Sequence, residues 1–278
     1  MIPFDFEYYQ PNSVEEAIQT IHLMADGGQR YMFYNGGTEF ITFARLNQIV
    51  VDAVIDIKQI PECNVLQIHE GQAVIGAAVT LNKIISSGLF PLLGEVVKRV
   101  ADHTSRNKIT IGGNISSQLM YREGILPLLL CDAKVKLNGR KGETVIPLND
   151  VFQKEMKLEQ DQFLVQILVE KDFLELPFVA WKKTKMTKVG YPIVSIAALV
   201  KHHFIRLAFS GVCEYPFRST EVEALLNDPS LPVEERIHRI TTYLPSPIIE
   251  DTQGSDAYRE FVLKNALRET IEALERAI

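Results

Sequence analysis

Two glycine pairs constrain the fold of this chain more than any other feature of its sequence. Gly36-Gly37 lies in the stretch FYNGGTEF and Gly112-Gly113 in ITIGGNIS; each pair follows a short apolar run and precedes a small polar side chain, Thr38 or Asn114. Glycine weakens strands and helices, so a glycine pair after a predicted strand indicates special backbone geometry. Such a turn can expose successive N–H groups to an anion, or it can be a tight turn without a ligand.

Either turn alone favours the interpretation without a ligand, but two matching turns predict two phosphates held together. We therefore expect a dinucleotide diphosphate between them. The common nucleotide-binding fingerprints G-x-G-x-x-G and G-x-x-x-x-G-K-[ST] are missing from the sequence, so neither a Rossmann site nor a P-loop is predicted. The hydrolase and protease patterns G-x-S-x-G and H-E-x-x-H are missing too.

Composition narrows the class of protein. Of the 278 residues, 46% are hydrophobic and 23% are charged, which is typical of a soluble globular chain. The net charge of -6 argues against nucleic acid as the main partner. No apolar run approaches the roughly 18 residues of a membrane span, and the N-terminal MIPFDFEYYQP lacks the basic flank of a signal peptide. A cytoplasmic protein without a membrane or nucleic-acid partner is expected.

The cysteines predict no metal centre. Cys63, Cys131 and Cys213 lie far apart and form no C-x-x-C pair, so we expect free, reduced and mostly buried thiols. Neither a zinc site nor an iron–sulfur cluster held by this chain alone is expected. We also find no pattern of a catalytic nucleophile or of an acid–base pair, and we predict no catalytic residue.

Hydrophobic periodicity divides the chain into three predicted units, residues 1–60, 61–174 and 175–278. In the first, Ser13 and Glu16 form a capping box that starts a helix ending near 26–28; a strand at 31–34, a short helix through Phe43 and a strand at 50–57 follow. The order predicts a small β–α–β unit.

The second unit reads as a hairpin at 65–79 that turns near Glu70-Gly71, followed by helices at 80–88, 91–101 and 125–133. A second hairpin at 133–148 turns at Asn138-Gly139 or Lys141-Gly142, and a closing strand spans 162–170. The third unit reads as an antiparallel sheet from 178 to 212, two helices, and a final helix over 255–278. An apolar stripe is predicted on that helix: Tyr258, Phe261, Val262, Leu263, Leu267, Ile271 and Leu274.

Both glycine loops resemble those of one known family. YNGGTEF resembles the AGGTDL loop, and SRNKITIGGNI resembles the I-R-N-x-A-T-I-G-G-N loop, of the FAD-binding medium subunits of molybdenum hydroxylases such as xanthine dehydrogenase and carbon monoxide dehydrogenase. FDFEYYQPNSVEEAI, VIGAAVT, LPLLLCDAKVKL and GSDAYRE resemble further family motifs. The resemblance therefore covers nearly the whole chain.

This resemblance implies an α+β protein with a vanillyl-alcohol-oxidase-type (PCMH-type) FAD-binding domain of two α/β subdomains. A separate C-terminal α+β domain with an antiparallel sheet and helices would follow. FAD would lie extended in the cleft between the subdomains, with one loop on each side of its diphosphate. The residues carried over for the cofactor are Phe33, Tyr34, Asn35, Gly36, Gly37, Thr38 and Glu39 in the first loop, and Ile109, Thr110, Gly112, Gly113 and Asn114 in the second.

The chain departs from the family pattern in two places. The family has an Asp nine residues after the loop Asn, on the ribose or adenine end of FAD, whereas this chain has Glu123 there, in YREGILP. The resemblance implies a ribose contact for Glu123. Where the family often has an arginine-rich strand, this chain has a basic run of four lysines, Lys182, Lys183, Lys185 and Lys188. Such a run can attract a phosphate or an acidic partner. The interpretation that we prefer is a solvated strand edge.

The function implied is that of an electron-transfer subunit of a multi-subunit molybdenum hydroxylase, with xanthine dehydrogenase preferred. Electrons would pass from the [2Fe–2S] clusters of a small subunit through FAD to NAD+ or O2, and a large subunit would carry molybdopterin. Two alternatives stay open: a stand-alone FAD-dependent reductase or oxidase of the same fold, and a flavin-free assembly subunit.

Overall fold

The fold is built on three β-sheets in the residues that the computed structural model describes, 1–187 and 189–277. Lys188, one lysine of the basic run, lies outside the described residues. The first sheet is parallel, the other two are antiparallel, and helices cover them. This mixed architecture agrees with the fold class that the sequence predicts.

Two helices enclose the first sheet, whose strand order is β1-β3-β2. Its elements are β1 (Glu7–Tyr9), α1 (Val14–Asp26), β2 (Tyr31–Tyr34), α2 (Thr38–Arg45) and β3 (Ala53–Asp56). Successive residues of β3 face opposite sides, so Ile55 packs in the core that contains Ala17 of α1, while Val54 packs with Phe40 of α2. The predicted start of α1 is confirmed, because Ser13 Oγ accepts a hydrogen bond from the Glu16 N–H at 3.1 Å.

The strand register brings two loops to one edge of this sheet. β2 and β3 are parallel, and Tyr34 at the end of one strand lies opposite Asp56 at the end of the other. The chain segments that leave these two strands therefore start side by side.

The second sheet has five strands in the order β4-β5-β8-β6-β7, and all neighbours are antiparallel. The strands are β4 (Leu66–His69), β5 (Gln72–Gly76), β6 (Lys134–Gly139), β7 (Thr144–Pro147) and β8 (Gln162–Glu170). Both predicted hairpins are present, and the second turns at Lys141-Gly142, where Gly142 has φ +95°. The predicted strand at 162–170, the last of this unit along the chain, is confirmed as β8. β8 is the central strand, and its apolar run is buried on both faces.

Six short helices connect these strands and bring the second glycine pair into place. They are α3 (Leu81–Ser87), α4 (Pro91–Val97), α5 (His103–Arg106), α6 (Ile111–Ile115), α7 (Ile125–Leu130) and α8 (Leu148–Val151). The prediction that Gly112-Gly113 follows a strand is wrong: Thr110 makes a single antiparallel bridge with Thr80, and both glycines lie within α6. Thr110 acts as the N-cap residue of this helix, so the chain turns helical immediately after the bridge.

The third sheet is antiparallel, in the order β12-β11-β10-β9. Its elements are β9 (Phe178–Thr184), β10 (Pro192–Lys201), β11 (Phe204–Ser210), β12 (Phe217–Arg218), α9 (Thr220–Leu226), α10 (Val233–Thr242) and α11 (Asp256–Leu274). Helix α11 packs its buried face against this sheet. Leu263, Leu267 and Ile271 lie on that face as predicted, but Phe261 is 62% exposed, and Tyr258 is 46% exposed. At about 100° per residue, Phe261 points roughly 200° away from Leu263, so one helix face cannot bury both.

Candidate functional site

The first glycine loop links β2 to α2 through a left-handed residue. Gly37 has φ +68° and is the N-cap residue of α2, a conformation that side chains with a Cβ atom rarely adopt. A Cβ atom at Gly37 would also lie 2.1 Å from Tyr34 Oη, because the tyrosine ring folds over the loop. Glycine at this position therefore meets both a backbone and a packing requirement.

The two glycine loops touch each other at Gly36. A Cβ atom there would lie 1.9 Å from the carbonyl oxygen of Lys108, which is well inside any possible contact distance. Lys108 immediately precedes Ile109 and the second loop. The close approach of the first loop to the second therefore depends on the missing side chain of Gly36.

Gly112 and Gly113 in the second loop have different roles. Gly113 N–H donates to Thr110 Oγ1 at 3.2 Å, and Gly113 faces the space between the loops. Gly112 is buried, and a Cβ atom on it would lie 2.7 Å from both the Cβ atom and the carbonyl oxygen of Ala77. Gly112 therefore allows α6 to pack closely on the segment after β5.

One cleft of about 650 Å³ contains the predicted site residues with the exception of Gly112. This volume falls within the roughly 300–1,000 Å³ of typical small-molecule sites. The sequence-predicted residues on its wall are Phe33, Tyr34, Asn35, Gly36, Gly37, Thr38, Glu39, Ile109, Thr110, Gly113, Asn114 and Glu123. Residues that are distant in sequence thus share one concave surface.

Backbone N–H groups in this cleft are available to a ligand. Asn35 Oδ1, by contrast, is shielded from solvent, although it has no hydrogen-bond partner among the described residues. The first-turn N–H groups of α2 lack acceptors within the helix, and Gly37 has no side chain to accept them. An anion matches these donors.

Glu39 is engaged by the protein itself. Its carboxylate accepts hydrogen bonds from Ser117 Oγ and, at 2.8 Å, from the Gln118 N–H. These bonds connect α2 to the segment that follows α6, and so they join the two sides of the cleft. Glu39 lies on the cleft wall, and its predicted contact with the cofactor stays a prediction; the sequence did not indicate its bonds to Ser117 and Gln118.

Glu123 is buried in an ion pair. Its carboxylate lies 2.8 Å from Lys182 Nζ and accepts a hydrogen bond from Ser195 Oγ at 2.6 Å. Both partners belong to the third sheet, so this contact joins the second sheet's helices to the C-terminal part of the chain. Lys182 is also buried, so our preferred interpretation of the basic run as a solvated strand edge is wrong for Lys182.

Sequence reasoning missed several residues that line the same cleft. Tyr121 and Tyr191 stack with ring centroids 4.6 Å apart and an interplanar angle of 16°, and Tyr191 is half exposed. Arg122 is buried and donates to the carbonyl oxygens of Ser117 and Lys154. The one available signal was that an aromatic residue, Tyr191, stands just before β10. A single aromatic residue carries no motif, so this signal was too weak to predict a site.

The charged and phenolic groups of the cleft are constrained by burial. Burial raises the pKa of both Tyr34 and Tyr121, so these phenols stay neutral near pH 7 and act as hydrogen-bond donors. Burial lowers the pKa of the Arg122 guanidinium, an effect that nearby carboxylates oppose. Glu39, Arg122, Glu123 and Lys182, the charged residues on the wall, all bind other protein groups, so a ligand anion would meet mainly N–H groups.

Among the described residues, no group of three or more His, Cys, Asp or Glu side chains is arranged to hold a metal ion. None of the helices that these residues form combines the length and the apolar character of a bilayer-spanning segment.

Comparison with known proteins identifies the family. Residues 4–170 match the family described as the FAD binding domain in molybdopterin dehydrogenase. The chain belongs to this family. FAD is accordingly its cofactor, and the resemblance found in the glycine loops is confirmed.

Similar proteins extend the match over the remaining residues. The carbon monoxide dehydrogenase medium chain of Hydrogenophaga pseudoflava is 31% identical over 78% of both chains. The glyceraldehyde dehydrogenase medium chain of Sulfolobus acidocaldarius is 25% identical over 95% of this chain and 96% of its own length. The xanthine dehydrogenase FAD-binding subunit of Escherichia coli O157:H7 is 27% identical over 58% of this chain and 57% of its own.

A solved structure matches the fold throughout. It is a chain of the carbon monoxide dehydrogenase from Hydrogenophaga pseudoflava that lacks the Mo-pyranopterin moiety, with a TM-score of 0.87, 24% identity and coverage of 98% of both chains. The predicted fold class, including the C-terminal α+β part, is confirmed.

The cleft fits the diphosphate of FAD on two structural grounds. Gly36 and Gly37 line the cleft with backbone alone, and a Cβ atom on either would clash with Lys108 or Tyr34. The N-terminus of α2 opens into the cleft with N–H groups that no side chain of the described residues caps.

Proposed function

We propose that the two glycine loops hold the diphosphate of FAD between them. The observation that carries this proposal is the contact of Gly36 with the carbonyl group of Lys108, which brings both loops to the wall of a single cleft. On this proposal the N–H groups of residues 36–39 face one side of the diphosphate, and residues 113–114 face the other. The remaining predicted residues, from Phe33 to Glu39 and from Ile109 to Asn114, form the walls.

The protein's own groups bind and orient the cofactor rather than perform acid–base chemistry. When bound, FAD supplies an isoalloxazine ring that accepts electrons singly and releases them in pairs. Tyr34 and Tyr121 are neutral donors, Glu123 is paired with Lys182, and Glu39 and Arg122 are hydrogen-bonded to neutral protein groups. We propose that Glu123 supports the ribose end of the cofactor from this ion pair.

We further propose that the chain is an electron-transfer subunit within a molybdenum hydroxylase. Its partners would be a molybdopterin-binding large subunit and a small subunit with [2Fe–2S] clusters, and the final electron acceptor would be NAD+ or O2. The medium chains among its relatives support such an assembly. Xanthine is our proposed substrate, to be tested against carbon monoxide and glyceraldehyde, the compounds named for other relatives.

The proposed units 1–60, 61–174 and 175–278 fit this function, since the cleft receives residues from all three. We place the complex in the cytoplasm. The three cysteines are free and buried, which suits a reducing compartment.

Purification and reconstitution test these proposals. The isolated chain is expected to carry or take up FAD and to show flavin absorption, without turning over xanthine, carbon monoxide or glyceraldehyde. Addition of the molybdopterin and iron–sulfur subunits should yield xanthine oxidation coupled to NAD+ or O2. Turnover by the isolated chain would favour a stand-alone enzyme, and a chain that never binds FAD, even with its partners, would indicate an assembly subunit.

A further inference from the structure

A lysine outside the cleft holds the first glycine loop from behind. Lys58 follows β3 in a short 3-10 turn, Ile57–Gln59. Its Nζ donates to the carbonyl oxygen of Asn35 at 3.0 Å and lies 4.4 Å from the centroid of the Tyr34 ring. Lys58 does not line the cleft, whereas Asn35 and Tyr34 do. The parallel pairing of β2 with β3 brings this lysine to the loop.

A fully buried carboxylate fixes the position of Lys58. Asp56 is 0% exposed and lies 2.7 Å from Lys58 Nζ. It also accepts hydrogen bonds from the Lys58 N–H at 2.9 Å and from the hydroxyl group of Tyr8. Because a buried carboxylate is costly without a cation, Asp56 keeps the ammonium group in place beside the loop.

Peptide geometry transmits this position into the cleft. The Asn35–Gly36 peptide is planar and trans, so its N–H points away from the carbonyl group that Lys58 binds. The backbone of Gly36 is also held from the side of Lys108, whose carbonyl oxygen leaves no room for a Cβ atom. The direction of the Gly36 N–H is therefore fixed, away from Lys58.

The cations on the cleft wall, Arg122 and Lys182, donate to protein oxygens, and Lys58 lies outside the wall, so Lys58 acts on a ligand through a peptide group. A hydrogen bond from an ammonium group polarises the peptide whose carbonyl it binds and strengthens the N–H on the other side as a donor.

We propose that Lys58 is a positioning residue for the cofactor. It aims and polarises the Gly36 N–H toward the diphosphate of FAD without touching the cofactor. This inference rests on the proposed diphosphate cradle. Asp56 and Tyr8 form the support that keeps Lys58 in register.

The test compares lysine variants by two readouts. FAD affinity is measured by titrating the flavin-free full chain and following flavin fluorescence, and the environment of the diphosphate is followed by ³¹P NMR of bound FAD. K58M is expected to weaken FAD binding roughly tenfold, in line with the loss of one hydrogen bond to a charged group, and to shift the ³¹P resonances. K58R should restore part of the affinity.

Two further variants separate positioning from folding. D56N/K58M removes the buried carboxylate along with the lysine, so it should melt closer to the wild type than K58M does and still bind FAD weakly. K201M is the matched control, because Lys201 lies outside the cleft, pairs with Asp172 at 2.7 Å and sits 3.4 Å from the Phe173 ring centroid. K201M should leave both readouts unchanged.

The outcomes separate the positioning role of Lys58 from the proposed FAD site. Wild-type affinity and unchanged ³¹P resonances in K58M would overturn the positioning role while the FAD site stands. Normal binding by D56N/K58M together with weak binding by K58M would assign the effect to an unpaired Asp56 and would also overturn it. A wild-type chain that does not bind FAD would overturn the proposed function itself.

Discussion

At the scale of single residues, missing Cβ atoms decide where the backbone can come close to itself. Gly36, Gly37 and Gly112 each stand where a Cβ atom would meet another group within 3 Å, but they meet different groups. Gly36 meets the opposite loop, Gly37 a tyrosine hydroxyl group, and Gly112 the segment after β5. A glycine pair in the sequence thus marks two separate requirements, and only one member of the second pair faces the cleft.

Gly36→Ala is expected to weaken FAD binding by about tenfold or more, because the added methyl group pushes the first loop away from Lys108. Gly139→Ala is the matched control: its Cβ atom would lie 2.2 Å from the carbonyl oxygen of Asp161, a similar clash outside the cleft. Both variants should lose stability in thermal melts, but only Gly36→Ala should lose affinity in FAD titrations. Equal affinities in the two variants would contradict the cradle.

The buried cysteines predict how thiol reactivity and the free energy of unfolding depend on pH. Burial raises the pKa of Cys63 to about 12 and that of Cys213 to about 11, so both stay protonated at pH 8 and should resist a thiol reagent such as DTNB until the chain unfolds. Unfolding returns these thiols to a pKa of about 8.5 and releases protons above that pH. The unfolded state then binds fewer protons, so the free energy of unfolding should fall as pH rises beyond about 9.

Thiol titration and urea melts between pH 7 and pH 10 check this expectation. The comparison is a chain in which all three cysteines are replaced by alanine, which should show a shallower fall above pH 9. Rapid modification of the native chain at pH 8 would contradict the burial of these thiols.

At the scale of elements, helix α11 shows how one side chain can anchor a helix to a sheet. Arg259 is fully buried near its start and donates to the carbonyl oxygens of Ile193 at 2.8 Å and Gly211 at 2.7 Å. It also pairs with Asp251. The carbonyl groups belong to β10 and to the turn after β11, so the guanidinium group fixes the entry of the helix onto the third sheet.

Arg259→Met should therefore destabilise the chain by about 3–5 kcal/mol, because it leaves the buried carbonyl groups of Ile193 and Gly211 without their charged donor and Asp251 without its cation. The control on the same helix is Arg268→Met, which breaks a pair of exposed side chains with Glu234 and should change stability little. Urea unfolding followed by circular dichroism measures both. A loss in Arg259→Met no larger than in Arg268→Met would show that apolar packing alone holds the helix.

At the scale of the whole molecule, the cleft is a junction between sheets. The first sheet supplies one loop, the helices of the second supply the other, and the third supplies Lys182 and Tyr191. The pair of Glu123 with Lys182 is a buried charged link between the last two, and Asp132 adds further links through Arg206 and Arg218. Breaking the pair of Glu123 with Lys182 should affect both the stability of the chain and the shape of the cleft.

Lys182→Met is expected to cost about 3–5 kcal/mol, since it leaves the Glu123 carboxylate buried without a cation. The double variant Glu123→Gln/Lys182→Met should lose less than the sum of the single variants, because it buries no unpaired charge. The control is Lys183, the next residue of β9, which forms a partly exposed pair with Glu269. Lys183→Met breaks that pair and should have a small effect on stability. Additive losses in the double variant would contradict a coupled pair.

The sequence by itself determined the helix caps, turns and loop motifs, which depend only on residues close together in the chain. Ser13 capped α1, the turn at Glu70-Gly71 closed a hairpin, and the glycine loops carried the family resemblance and the cofactor, because these signals act within a few residues of the chain. The cleft's list of residues followed from that resemblance, and all but Gly112 reached its wall.

The tertiary structure alone decided which of these residues meet partners that lie far away in the chain. Glu123 pairs with a lysine 59 positions later, Lys58 reaches back 23 positions to the first loop, and Phe261 stays in solvent although its residue type predicts burial. The physical reason is that ion pairs and buried faces are set by how the sheets dock, and docking joins segments whose separation in sequence carries no local signal.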